Sequence, residues 1–427
     1  MPSLEGWDTA AVAPLSFINL GLGPRSAEVL STFTIQGGNA HGAPRPYTAQ
    51  GTIGPLGIRP STQANLLLLY FQIVEGVYTS EDGATLDLLN VGLEMAISLE
   101  FLALSGAESL TMDLSQAGLL GDPPQPGKVT PMIIEGPVDV LNDLGLDGQR
   151  DLQNQMAQVV ADHAAPLNAV LATLLVSGEP WLQTTSSAYT SLTAANYAGY
   201  LAILAMLDGH TKPNATTLEA SFLPGASGSN STTVLSGNTF LQYVIMPQLP
   251  ASFQGHLSAD NLQFDRNNSR ITVRHSFNLS EVKVGSINYT PVIDEMIVNN
   301  GHNVVSISLN GHCDLYMGIN MTFSYQASLP LLFSEAKQQL SFASDPFPIV
   351  HHDAEIPWWW AAGGPIVYSV TDAIVSVISS DIQDDLVGLL NKLGLSAIQT
   401  NVGWSQSQSS HAVGVTLNTD LLTFANL

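Results

Sequence analysis

In two long stretches of this chain the apolar residues fall at helical spacing, while most of what surrounds them reads as strand. Between residues 150 and 176 they are Leu152, Met156, Val159, Val160, Leu167, Val170, Leu171, Leu174 and Leu175. Between 365 and 393 they are Ile366, Val370, Ile374, Val377, Ile378, Ile382, Leu386, Leu389, Leu390 and Leu393. Gly178 and Pro180 are stop signals for the first stretch and Gly394 for the second, and Pro166 puts a kink inside the first. A helix of about 25 residues is about 40 Å long and buries a stripe only against a surface of similar length.

Strands supply that surface. LLLLYFQIVEG (66–76) and MAISLEFLALSG (95–106) read as strands, the first apolar on both faces. YAGYLAILAML, HNVVSISLNG, MGINMTFSYQ, RITVRHSF and the tail HAVGVTLNTDLLTF are also strand-like. Each half begins with a short helical segment, GWDTAAVAPLSFINLGLG and NTFLQYVIMPQLP. The order of short helix, sheet, long amphipathic helix and closing strands thus occurs twice, with a Gly/Ser/Asn-rich segment, LPGASGSNSTT, between the copies. The expected organisation is a module over 1–222 with a long helix about 150–176, a linker over 223–233, and a second module over 234–427 with a long helix about 365–393. The expected class is α+β: curved antiparallel sheets wrapped around long amphipathic helices.

Charge narrows the partners. Only 12 Lys and Arg stand against 36 Asp and Glu, a net charge of −24. A field of that sign repels phosphate backbones and anionic lipid surfaces, which argues against nucleic-acid binding. Cys313 is the one cysteine, so no internal disulfide or cysteine-based zinc site can form, and a small buried hydrophobe is its expected role. MPSLEGWDTAAVAP has no basic and apolar leader pattern, and no apolar run approaches the length of a membrane-spanning helix. The expectation is a cytoplasmic protein, or one released without a cleaved signal. Sequons at Asn214, Asn230, Asn267, Asn278, Asn288 and Asn320 then read as loop and strand chemistry.

Four landmarks, in order along nearly the whole chain, carry a resemblance. They are Gly6-Trp7-Asp8, then Phe71-Gln72-Ile73-Val74-Glu75-Gly76, then Phe240-Leu241-Gln242 with Ile245-Met246-Pro247-Gln248-Leu249, and finally Ile356-Pro357-Trp358-Trp359-Trp360. Together they resemble the tubular lipid-binding (TULIP) superfamily, in its branch of forty-seven-kilodalton bacterial proteins encoded beside clostridial neurotoxins. The resemblance implies an elongated TULIP-like body of sheet around helix, binding of a lipid or another elongated hydrophobe, and in some relatives phosphoinositide binding within a toxin complex. It implies no catalytic residues and no cofactor.

If the helix–sheet seam holds a gap, its walls are Leu167, Val170, Leu171 and Leu174 in the first module and Val370, Ile374, Val377 and Ile378 in the second. If side chains fill the seam, the same residues are ordinary core, which spacing alone favours. Trp358, Trp359 and Trp360 either cap a tunnel mouth or wedge the helix start onto the sheet. Arg270 and Arg274 share one face of a strand, where they could hold a phosphate or carboxylate head group or simply pair with surface acids. His351-His352-Asp353 cannot chelate one ion well, because adjacent residues of a strand point to opposite faces, so no metal is expected. No P-loop, dinucleotide fingerprint or nucleophile elbow occurs. The leading expectation is a carrier of a lipid or another elongated hydrophobe, as an accessory component of a toxin-type gene cluster. The alternatives are a cofactor-free cyclase or isomerase acting on a polyketide- or terpenoid-like substrate by positioning alone, and an interaction scaffold with a filled core and a protein partner.

Overall fold

The computed structural model describes residues 4–38, 45–63, 65–104, 107–168, 170–175, 180–194, 198–224, 229–315, 318–354, 402–405 and 411–427, with single positions 372, 373, 376 and 407. The chain divides into two compact units. One comprises Glu5–Thr232, Thr400–Ser410 and Asn426–Leu427, the other Met1–Leu4, Thr233–Gln399 and His411–Ala425.

In the first unit β1 (Thr9–Pro14) leads into α1 (Leu15–Val29), followed by β2 (Thr32–Gly37), β3 (Tyr47–Ile53), β4 (Gly57–Pro60), β5 (Leu67–Ser80), β6 (Thr85–Asp87), β7 (Gly92–Leu104), β8 (Ala107–Asp113), β9 (Gln116–Ala117) and β10 (Lys128–Glu135). Then come α2 (Val138–Asp162), α3 (Ala164–Leu167), β11 (Val170–Leu175), β12 (Thr184–Thr193) and β13 (Gly199–Leu207). The main sheet runs β2-β3-β5-β7-β8-β11 and ends on Val402–Trp404, with antiparallel neighbours throughout. β10 pairs with the first half of β7, on the side where β8 pairs with its second half. Long alternating strands such as β5 bury every second residue (Leu67, Leu69, Phe71, Ile73) and turn the others outward. Gly51 marks a close approach: a Cβ there would run into the Glu75 carbonyl and the Gly76 backbone, where β3 crosses β5 beside a bulge.

The helix α2 crosses this sheet. Its buried positions Leu144, Gly148, Leu152, Met156 and Val160 recur every fourth residue, one stripe on one face. The sequence spacing places this helix at 150–176, and the structure moves it. The helical run starts twelve residues earlier, at Val138, and consists of two helical segments that meet at a kink, where Gly145 takes a non-helical backbone with φ 63°. It stops at Asp162, and after the short α3 with its Pro166 the chain turns into β11. VLATLL is a short apolar run, which suits a buried strand as well as a helix face, and its pairing with β8 on one side and Val402–Trp404 on the other decides for strand. The helical start expected over GWDTAAVAPLSFINLGLG is corrected in the same way. Thr9–Pro14 is a strand that pairs with β13 along its whole length, and the helix begins only after Pro14, whose extended backbone precedes it.

In the second unit the chain is helical over 237–252, with a widened turn at Phe240–Ile245 ahead of Pro247. Ser236 caps it, its hydroxyl accepting from the Thr239 N–H at 3.2 Å. The sheet there runs Leu262–Asp265, Arg270–Val273, Val292–Gly301, Val304–Leu315, Ile319–Ser334 and Gln339–Phe342, with Ile349–Ala354 also paired to Ile319–Ser334. Strict alternation in the two longest strands puts Val305, Ile307, Leu309, Met321, Phe323 and Tyr325 inside, with polar residues between them outside. Of the helix expected at 365–393 only positions 372, 373 and 376 are described, all helical; the rest lies outside the described residues. The fold class is therefore α+β, antiparallel sheets with an amphipathic helix laid across one of them. No helix among the described residues is long and apolar enough to cross a membrane.

Candidate functional site

The α2 seam is the first place to look for an apolar site. Leu152, Met156, Ala157 and Val160 have no exposed surface and share one core with Phe33, Ile35, Leu93, Leu110, Met112, Leu171 and Leu174. The helix packs most closely against β10, β9 and β2, and its stripe is continuous with the core of the main sheet. Of the residues expected to line a cavity, Leu167, Leu171 and Leu174 are buried in this core, whereas Val170, at the start of β11 beside a register shift, is 40% exposed. Val370, Ile374, Val377, Ile378, Trp358, Trp359 and Trp360 lie outside the described residues.

The two arginines separate. Arg270 opens the strand Arg270–Val273 directly opposite Asp265, and its Nε lies 3.2 Å from the Asp265 carboxylate. Hydrogen bonds from Asn268, then the Arg270 contact, hold that carboxyl below the usual range. Arg274 falls beyond the strand end and is exposed, so the shared strand face expected for the pair does not form.

Two polar constellations escaped the sequence reading because their members are distant along the chain. On the outward face of the first unit's sheet, the Arg59 guanidinium pairs with Glu94, lies 3.8 Å from Glu135, and stacks 3.4 Å from the centre of the Tyr70 ring. Glu94 keeps only 10% of its side chain exposed, so the cation beside it matters. Burial, and then the Glu135 charge, raise the Tyr70 hydroxyl above its ordinary range. Arg59→Ala leaves Glu94 largely buried without a counter-charge and is expected to lower stability by about 2 kcal/mol. Arg59→Lys keeps the charge but loses the planar stack, so thermal unfolding should place it between Arg59→Ala and the parent chain.

The second constellation covers the outward face of the second unit's sheet. Cross-strand register sets Glu295, Asn310, Ser324 and His351 in one row, and Ile297, Ser308, Gln326 and Ile349 in the next. Two clefts follow these rows. One of about 450 Å³ is lined by Asp294, Asn310, Gly311, Thr322, Phe323, Ser324, His351, His352 and Asp353. The other, about 340 Å³, includes Ile297, Asn299, Ser306, Ser308, Gln326, Ser328, Asp345 and Phe347. The His312 Nδ1 sits 2.6 Å from Asp294, and the Asn310 amide donates to Glu295 at 2.9 Å. His351 and His352 do diverge across their strand: His351 is exposed beside Ser324, and His352 is half-buried beside Phe323, with its Nε2 3.2 Å from Asp372. The alternation of SISLNGH and NMTFSYQ signalled polar outward faces, but not which strands lie side by side.

Cys313, on the inward side of the same sheet, is fully buried, and burial followed by the Asp314 charge pushes its thiol up to about 11. It stays protonated at neutral pH. Iodoacetamide at pH 8 should therefore leave the folded chain unmodified and add one label per chain in urea, as read by intact mass; rapid native labelling would contradict this burial.

The comparisons bear on fold and family. The OrfX-like family, described as Protein OrfX2/OrfX3/P47, matches residues 167–402 of the 427. The structure of P47 from Clostridium botulinum A2 superposes with a TM-score of 0.76 at 17% identity, covering 99% of this chain and 98% of that one. P47 of Clostridium botulinum E1 superposes with a TM-score of 0.77 at 16% identity, covering 99% of each chain. At such identities these two structures share the fold. No curated protein sequence matches the chain.

Proposed function

The chain belongs to the OrfX-like family of Protein OrfX2/OrfX3/P47, and from that membership we propose that it is an accessory component of a toxin-type gene cluster, a scaffold that works by docking a partner and not by chemistry. The observation that carries this reading is the filled seam of the first unit. Where a carrier needs empty length, Leu152, Met156 and Val160 meet the sheet with no exposed surface. A scaffold needs the opposite: a rigid body whose outward faces do the work. The acidic, polar faces of both units suit that task.

Native mass spectrometry of the full chain before and after delipidation tests the proposal. An unchanged mass, together with co-elution of a protein encoded beside it, is the expected result. A lipid mass carried one-to-one and removed by delipidation overturns it.

A second reading, carriage of a lipid or another elongated hydrophobe, draws on a different observation. The inward face of the second unit's sheet is apolar along its length, from Ile307 and Leu309 to Met321, Phe323, Tyr325 and Leu329. Under that reading the apolar stripe of 365–393 faces the ligand, and Val370→Trp or Ile374→Trp blocks lipid uptake while leaving partner docking intact.

A further inference from the structure

The outward groove of the second unit has a chemistry of its own. Same-face residues of neighbouring rows are spaced about 7 Å apart along a strand, the repeat of alternate side chains in any extended chain. Asp294 and Asp353 line one cleft and Asp345 the other, and Glu295 projects from the row between them. Among the described residues no Lys or Arg lines either cleft. At the far end Phe347 is 85% exposed and Ile349 54%, with Ile297 in the same wall. Asp345 does not roam: its carboxylate accepts from the Ser328 N–H at 2.8 Å and from the Phe347 N–H at 2.9 Å, fixing acid and ring together.

His312 lies 2.6 Å from Asp294, and His351 and His352 share that cleft. Four acids so placed suit a positively charged occupant, and the apolar surface beside them suits the methylene stems of Lys and Arg. A free phenyl face next to an acid also favours a cation over its ring. A neutral sugar would explain the ring and the amides, but not four acids with only histidines and no described Lys or Arg beside them. We propose that this groove docks an extended, lysine- or arginine-rich segment of a partner protein. The proposal rests on the scaffold reading above and gives it a surface and a partner chemistry.

The test uses the delipidated full chain and a fluorescein-labelled octapeptide of alternating Lys and Ser, read by fluorescence anisotropy at fixed salt. Asp294→Asn, Glu295→Gln and Asp353→Asn together should weaken binding about ten-fold, and Phe347→Ala should weaken it several-fold. An equal change of charge on the exposed side of α2, Asp139→Asn with Asp143→Asn and Asp147→Asn, should shift it by less than about two-fold. Circular dichroism and melting checks that each variant is folded. Equal losses from both triple variants would mean diffuse attraction to an acidic chain, and the groove proposal fails. It fails too if maltoheptaose displaces the peptide and binds undiminished after neutralisation, which would make this a glycan surface. Lipid found by mass spectrometry would instead overturn the scaffold reading and leave the peptide result standing on its own.

Discussion

Met156→Ala is expected to lower the stability of the first unit by about 3 kcal/mol, within the range for truncating a buried side chain that its neighbours cannot close over. Met156 has no exposed surface and sits mid-stripe on α2, between Leu152 and Val160. The size of the effect separates two pictures of the seam. In a filled core the substitution leaves a cavity and loses packing contacts. In an open tube it merely widens a space already there, at little cost. Leu146→Ala is the matched control, because Leu146 lies on the same helix and is 84% exposed; its change should stay within about 0.5 kcal/mol. Urea unfolding of both variants, comparing midpoints at constant slope, reads the difference. If Met156→Ala matches Leu146→Ala, the filled seam and the scaffold reading built on it both fall.

Asp420→Ala should cost about as much in the second unit, roughly 3 kcal/mol, for a different reason. Asp420 is 3% exposed, and its two carboxylate oxygens accept from the Leu4 N–H at 3.1 Å and from the Gly237 N–H at 2.9 Å. One side chain thus anchors the chain near its start and the beginning of the 237–252 helical run. Truncation strands two buried donors, and an unsatisfied buried donor is dearer than a normal hydrogen bond is worth. Asp420→Asn retains one acceptor oxygen and should lose about half as much. Calorimetry distinguishes the three chains; an alanine variant that melts with the parent would show that water or another group satisfies these donors.

The stripe Leu152, Met156, Val160 could be read directly, because an apolar residue at every fourth position has few explanations other than a helix against a core. The strands around 66–76 and 95–106 were equally plain. The start of α2 is hidden by Gly145 and Gly148: Gly145 does break the helical backbone, whereas Gly148 lies within the segment that follows. Val170–Leu175 was misplaced because six mostly apolar residues have no period of their own. Arg270 with Asp265 was near enough in sequence to suspect, whereas Arg59 with Glu94 needed knowledge that β4, β5 and β7 are neighbours.

By itself the sequence determined the stripe of α2, most of the long strands, the acidic balance and the family to which the chain belongs, since periodicity, charge and motif order are local or additive properties. Only the tertiary structure decided whether the seam under α2 is open or filled, and which outward residues face a common groove. Both depend on strand register. Shifting one strand by a single residue would exchange its inner and outer faces, so neither the volume beneath Met156 nor the row Glu295, Asn310, Ser324, His351 exists until the pairing does.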